Sequence, residues 1–346
     1  MTSPNMSSQM RIQIAFNHRE PDRVPFLLPA VMHGAKELGL PIRDYFSKAS
    51  HVIEGQCRLR EKIGHDAVVG FLYAALELEA WGGETIFIED GPPNAGQPII
   101  NQPEDILKLQ PPRVKDSPRL QEVLEVIRGL KERVGNDVPV LAGVISPFSL
   151  PVMQMGFDHY LDLIHERSNL FNRLMQINEE FCVEWANAQL EAGAGMISYA
   201  DPVSSVTIIP RELFLKTGFQ IAKRTISRIK GGVAMNFASG RNLPIIDDVV
   251  QTGSLAVSAG FLEDLPDLKS ACKNRIVLMG NLNPVEMRHW NQKETEDIVK
   301  KAIAEAGPGG GFILTDLHGE IPWQVPDEVL FNIAEAVKKW GRYPLR

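Results

Sequence analysis

Three stretches of this chain put acids, amides or an imidazole directly behind a short apolar run. They are Gly311–Gly319, where Phe312-Ile313-Leu314-Thr315 breaks into Asp316 and His318; Met196–Ala200, followed by Asp201-Pro202; and Val233-Ala234-Met235, followed by Asn236-Phe237-Ala238-Ser239-Gly240. A carboxyl or imidazole in such a place can give or take a proton or bind a cation, and an amide or hydroxyl can hydrogen-bond a substrate oxygen. The pattern is that of a buried parallel strand whose C-terminal end presents chemistry, which is where parallel α/β proteins keep their sites.

Each candidate has a second, structural reading. Asp201 can serve as acid, ligand or hydrogen-bond acceptor, yet Asp before Pro also opens turns. His318 can protonate an oxygen or bind a metal through one nitrogen, or be a loop residue with satisfied hydrogen bonds. Asn236 and Ser239 can hold a hydroxyl or ether oxygen, or form the polar turn into Gly240-Arg241. Arg241 can pair with a substrate carboxylate or with a neighbouring loop, and Asn281 can donate to a substrate or shape the turn before Asn283-Pro284. Phe148, Tyr199, Phe237 and Trp323 fall near strand ends and offer walls for a ring. Met153 and Met155 read as core, His33 carries little weight, and Gly307–Gly311 reads as a tight lead-in to a strand rather than a phosphate cradle.

The elements that must position these residues follow from periodicity. Eight β-rich apolar runs occur near Val24–Pro29, Ala67–Phe71, Val138–Ile145, Met196–Ala200, Val233–Met235, Ser254–Val257, Arg275–Met279 and Phe312–Thr315. Between them a helical period recurs, as in Leu120, Val123, Leu124, Ile127 and Leu130. Eight strands each followed by a helix predict a (β/α)8 TIM barrel with an N-terminal helical extension, one domain over residues 9–346 behind a disordered tip at 1–8. No GxGxxG opens a helix after the first strand and no GxxxxGK[ST] occurs, so a doubly wound nucleotide-binding sheet is the weaker reading. The Gly- and Pro-rich stretch Glu84–Pro112 is expected to form an excursion near the barrel mouth, or a plain structural loop with a short hairpin.

Composition excludes several classes. The 346 residues are 44% hydrophobic and 23% charged, with a formal charge of −7, and no apolar run of about twenty residues suggests a membrane span. Lys and Arg are scattered, so nucleic acid is not an expected partner. Cys57, Cys182 and Cys272 lie far apart and write neither a disulfide framework nor a CxxC pair. The polar start lacks a signal-peptide pattern, so the expected location is cytoplasmic. A homodimer is compatible with all of this.

In order along nearly the whole chain, Arg19-Glu20-Pro21-Asp22-Arg23-Val24-Pro25, Gly143–Phe148 with Gly156, Ala200-Asp201-Pro202, Gly280-Asn281-Leu282-Asn283-Pro284 and the closing 311–326 stretch resemble the uroporphyrinogen decarboxylase superfamily. The resemblance is nearer to its cobalamin-dependent methyltransferase branch, because the Arg-Gln-Ala-Gly-Arg carboxylate-binding motif of the decarboxylase is missing. Thiol-methylating members of that branch carry His-x-Cys after the fifth strand and Cys after the eighth, binding zinc that holds the thiol as thiolate. Here Asn236-Phe237-Ala238-Ser239-Gly240 and His318 stand in those places, which speaks against a thiol acceptor.

What the resemblance then implies is the opposite half-reaction, transfer of a methyl group from a small substrate, with an aryl methyl ether expected, to the Co(I) corrinoid of a separate corrinoid protein. No Asp-x-His-x-x-Gly segment is present, so the corrinoid (cobalamin) is expected in trans. Co(I) is already a strong nucleophile, and the protein must activate the leaving oxygen. Glu79 matches a family glutamate, and if its segment is extended only one of Glu77 and Glu79 faces inward, leaving Glu77 solvated. The expected catalytic set is Asp201, His318 and Glu79, acting through zinc held by those three or through a carboxylic acid kept protonated by burial. Alternatives are a decarboxylase-like lyase and transfer from methylcorrinoid to an acceptor.

Overall fold

The computed structural model describes residues 6–70, 73–316 and 318–345. Eight parallel strands lie within or at the edge of the predicted runs: β1 (Phe26–Leu27), β2 (Val68–Val69), β3 (Val140–Ile145), β4 (Met196–Ala200), β5 (Val233–Asn236), β6 (Ala256–Ser258), β7 (Val277–Asn281) and β8 (Phe312–Thr315). They pair side by side in the order β1-β8-β7-β6-β5-β4-β3-β2. The ring closes where the Asp66 N–H, in the lead-in to β2, donates to the Phe26 carbonyl at 2.8 Å. The expected Val24–Pro29 run shrinks to two residues because Pro25 and Pro29 bring no N–H to a ladder. The end of the Ala67–Phe71 run, Phe71, lies outside the described residues.

A helix follows every strand: α1 (Ala49–Ile63), α2 (Pro118–Val134), α3 (Ser168–Glu191), α4 (Gly218–Ile226), α5 (Ile246–Val250), α6 (Leu265–Cys272), α7 (Gln292–Ala306) and α8 (Asp327–Trp340). This is the (β/α)8 barrel. α2 shows how the sequence writes such a helix. Ser117 accepts the Leu120 N–H, Pro118 occupies the first turn where no N–H is needed, and Gly135 at φ 62° stops it. Its predicted stripe Leu120, Val123, Leu124, Ile127 and Leu130 is buried throughout, each side chain contributing roughly 1.5–3 kcal/mol of apolar transfer.

The N-terminal helical extension is Ser8–Phe16. This corrects the inner edge of the expected disordered tip: Ser7 caps the helix, and Ser8 is buried and donates to Asp66 at 2.9 Å. Residues 1–5 of that tip lie outside the described residues. The stretch after β2 forms an antiparallel hairpin, Thr85–Ile86 with Asn94–Ala95. Gln324 donates to the Asp90 carbonyl at 2.7 Å and the Ile100 N–H to that of Gln154 at 2.9 Å, tying the excursion to loops at the C-terminal mouth. Among the described residues no helix is long and apolar enough to cross a membrane.

Strand alternation separates two faces of the sheet. Val140, Ala142, Val144, Ile197, Tyr199, Val233, Met235, Val257, Leu278 and Phe312 are sealed against the helices; a Cβ on Gly70, next on the same face of β2, would meet Ile127 of α2 at 2.7 Å. The opposite face carries Ile145, Ser198, Ala200, Asn236, Asn281 and Thr315 into the lumen. Ser198 and Ala200 of β4, with Ala234 of β5, line this face with small residues.

Candidate functional site

The parallel register decides which strand-end residues can meet a ligand. Asn236 pairs with Ala200, and Asn281 with Thr315 and so with Leu27. Asn236 and Asn281 are therefore lumen residues, as expected. Phe237, read from the sequence as a wall for a ring, is instead sealed, and its N–H donates to Ser258 Oγ at 2.9 Å. The Asn236 carboxamide oxygen accepts the Ala238 N–H at 2.8 Å, bending the chain into two left-handed residues, Ala238 and Ser239, at φ 47° and 64°. Non-glycine residues held there cost of order 1–3 kcal/mol each and gather at functional sites. Ser239 is half-buried on this turn.

Tyr199 and Phe148 need correction as walls for a substrate ring. Tyr199 lies on the helix face of β4 and is fully buried. Phe148 packs edge-on against Tyr160 and Phe171, at centroid distances of 5.8 and 6.2 Å, inside the helical layer. Trp323 is half-buried, with Lys36 Nζ over its ring at 4.9 Å. Arg241 is exposed; its backbone N–H donates to Thr207 at 2.8 Å, and its charge reaches Glu263, whose carboxylate takes the N–H groups of Asn242 and Leu243. Met155 is buried and Met153 half-buried. A 400 Å³ cavity beside the hairpin is lined by Ala74, Asn94, Ala95, Val152 and Met153 among others.

The three expected catalytic groups do not converge. Asp201 is 0% exposed, and its Oδ1 accepts both Ser146 Oγ at 2.6 Å and Ser149 Oγ at 2.7 Å, while Ser149 also takes the Val203 N–H. It clamps the loops after β3 and β4 together; burial pushes its carboxyl up against these lowering hydrogen bonds. Glu79 is held by Tyr73 Oη at 2.9 Å and Arg119 Nε at 3.2 Å. His318 is exposed in a loop, 6.2 Å in ring centroids from Phe261, and burial of its ring lowers its pKa. Among the described residues no three His, Cys, Asp or Glu side chains come together to hold a metal. Zinc on Glu79, Asp201 and His318 therefore does not fit: Glu79 and Asp201 are held by protein donors, and His318 stands in no such cluster. The three cysteines lie on helices, Cys57 on α1, Cys182 on α3 and Cys272 on α6, none at a strand end.

Glu77 also departs from expectation. The segment Leu76–Ala80 is helical, so strand alternation does not apply, and Glu77 is fully buried rather than solvated. Its Oε1 takes the Ile145 N–H at 2.9 Å, and burial pushes it up to about 8 against that bond and the Trp185 indole. Asp316, at the tip of β8, is fully buried, takes the His318 N–H at 2.7 Å and is pushed up by burial to about 7. Glu320 is half-buried, accepts the Met32 N–H at 2.5 Å and is pushed up by burial to about 8. His33, by contrast, is buried against the Val325 carbonyl at 3.2 Å and pushed down to about 4.

Glu320 escapes the sequence reading, which rests the weight of this segment on His318. A signal existed: no Lys or Arg occurs between Lys301 and Lys338, so Asp316 and Glu320, in the middle of that stretch, have no cation near them in sequence to hold them ionised. The arrangement offers amides in the lumen and, at the mouth beside β1 and β8, a carboxylic acid that keeps its proton at neutral pH and can still be reached. Such an acid can protonate a departing oxygen.

Residues 7–340 match the family model of uroporphyrinogen decarboxylase (URO-D). The chain is 28% identical over 166 residues to a methylcobamide:CoM methyltransferase, MtaA, of Methanosarcina barkeri, covering 48% of this chain and 49% of that one. It is 26% identical over 234 residues to the methylcobamide:CoM methyltransferase MtbA of Methanosarcina mazei, covering 65% of each. The chain thus spans half to just under two thirds of the length of these relatives. A solved methyltransferase from Methanosarcina mazei has the same fold, with TM-score 0.83 at 20% identity over 97% of this chain and 99% of that one.

Proposed function

Because this chain belongs to the uroporphyrinogen decarboxylase (URO-D) family, we propose that it is a corrinoid-dependent methyltransferase that takes a methyl group from an aryl methyl ether and passes it to the Co(I) corrinoid of a separate protein. The observation that carries the reading is Glu320, half-buried at the mouth, without a cationic partner among the described residues and pushed up to about 8. Cobalt(I) attacks the methyl carbon, the carbon–oxygen bond breaks with its electron pair on oxygen, and the Glu320 carboxyl supplies the proton that makes a phenol the leaving group. A phenolate with an ordinary pKa of about 10 readily takes that proton from a carboxyl near 8.

Asn236 and Asn281 supply lumen amides for hydroxyl or ether oxygens of the ring. Asp316 orders the turn that carries His318, and Asp201 fixes the two serine-bearing loops; both act as positioning residues. The corrinoid protein is the second substrate and must cover the mouth so that cobalt, methyl and oxygen fall in line. Exposed Ile86, Ile88, Ile208, Leu262 and Val285, all on loops leaving the C-terminal ends of strands, give that partner an apolar rim. A thiol acceptor is disfavoured by the location of all three cysteines on helices rather than at strand ends.

The test is to incubate the protein and a reduced corrinoid protein with methoxyaromatics, methylamines and methylated thiols, and to follow cobalt methylation by absorbance. Transfer from methoxyaromatics alone is expected. Transfer confined to thiols or amines would overturn the reading.

A further inference from the structure

The N-terminal end of the barrel, opposite the mouth, holds a second cavity that methyl transfer leaves without a role. It measures about 560 Å³ and is lined by His18, Lys269, Lys273, Asn274, Glu305 and the glycines 309–311, among others. Its walls are the turn after the N-terminal helix, the end of α6 with the turn into β7, and the turn into β8.

Three observations set this cavity apart. The first is charge. Among the described residues neither Lys269 nor Lys273 forms a salt bridge, whereas the acid on the wall, Glu305, is paired with Lys301 at 3.8 Å. Lys269 is partly buried and donates to the Gly310 carbonyl, a neutral acceptor that leaves its charge uncompensated.

The second is the effect of that charge on its neighbour. Burial lowers the Lys269 pKa, and His18 is lowered by burial and then by the Lys269 charge. The other titratable groups on the cavity wall are Cys272, Lys273 and Glu305, and nearby the Glu20 carboxylate is turned onto the Gly309 N–H at 2.9 Å. The third is backbone. Of the four non-glycine residues at positive φ among those described, His18 (52°) and Asn274 (53°) line this cavity, beside Gly309, Gly310 and Gly311 at 77°, 71° and 64°. A Cβ at Gly311 would lie 2.6 Å from His18 Nδ1, so the glycine lets the imidazole into the wall.

We propose that this cavity is a binding site for a phosphate-bearing small molecule, whose anionic group sits between Lys269, Lys273 and His18. A phosphate supplies the counter-charge that the partly buried Lys269 ammonium lacks among the described residues, and favours the protonated form of the His18 imidazole. The volume exceeds that of a bare phosphate and admits an organic substituent. The site is separate from the mouth, so it does not depend on the reading of the methyl-transfer site.

The experiment titrates the full-length protein with inorganic phosphate at low ionic strength, following the His18 imidazole by NMR, with chloride at matched ionic strength as control. Saturable binding is expected, with a rise of the His18 pKa in the bound state. Lys269→Gln should weaken binding at least tenfold. Lys273→Ala, at an exposed position whose side chain has no hydrogen-bond or salt-bridge partner among the described residues, should weaken it about threefold while leaving the fold intact. Repeating the titration with a phosphate monoester distinguishes free phosphate from an organic phosphate as the better ligand. Equal response to chloride and phosphate, or unchanged phosphate affinity in both Lys273→Ala and a folded Lys269→Gln, would overturn the proposal.

Discussion

The two ends of this barrel treat buried acids in opposite ways. At the N-terminal end Asp66, fully buried, accepts five hydrogen bonds, from Ser8, Arg11, the two terminal nitrogens of Arg23 and the Phe26 N–H, all between 2.6 and 3.0 Å. At the C-terminal end Glu77, Asp316 and Glu320 are each met by a backbone N–H and by no Lys or Arg among the described residues, and burial pushes them to about 8, 7 and 8. A paired buried carboxylate is an architectural tie. An unpaired one keeps its proton and stores chemistry at a cost in stability. The separation matches the division of labour in such barrels, where the bottom holds the fold and the top holds the site.

Breaking the paired end should give the largest effect. Asp66→Ala leaves the Arg23 guanidinium without a carboxylate and Arg11 with Asp22 alone, and a loss of about 3–5 kcal/mol is expected, read by urea unfolding. A loss below about 1 kcal/mol would mean the network is decorative and the contrast between the ends is false.

The unpaired end makes a prediction of opposite sense. Glu77 has a folded pKa raised to about 8 from 4.5, so above the unfolded value the unfolded chain ionises while the folded protein holds its proton. Stability should therefore fall as pH rises from about 4.5 towards 8 and level off beyond. Glu77→Gln should remove a slope on the order of 2–4 kcal/mol over that window, seen as converging unfolding midpoints at low pH and diverging ones at high pH. Identical pH dependence in parent and variant would show that Glu77 is ionised in the fold.

Much of this contrast is written in the sequence, and some is not. All eight strands and the stripe of α2 follow from period and apolar runs, because burial on one face is what periodicity records. The lumen positions of Asn236 and Asn281 were legible as strand ends. Tyr199 and Phe148 were placed near the mouth correctly in sequence but on the wrong side of the wall, since a run buried on both faces does not reveal which face meets the lumen. Asp201 looked like an acid because it follows a strand, yet its partners Ser146 and Ser149 come from a loop more than fifty residues away, and only the fold brings them together. Glu320 is hard to read from the sequence because its protonation depends on the absence of cations, which no motif records.

The smallest effect sharpens the side-of-the-wall distinction. Tyr199→Phe should change methyl-transfer KM by less than about twofold and stability by about 0.5 kcal/mol or less, its hydroxyl having no hydrogen-bond partner among the described residues. Asn236→Ala, on the lumen side, should raise KM about tenfold, the worth of one good hydrogen bond to substrate. Steady-state kinetics on the two variants tests the assignment, and a reversed order would place the lumen on the other face.

The most direct measurement is the pH profile of corrinoid methylation by a methoxyaromatic substrate in the parent protein and in Glu320→Gln. The proton must be present for the oxygen to leave, so the parent rate is predicted to hold below about pH 7 and to decline as pH rises through about 8. The variant is predicted to lose about a hundredfold or more in rate and to lose that decline with it. A parent profile flat across this range, or a variant that keeps both rate and decline, would contradict the account.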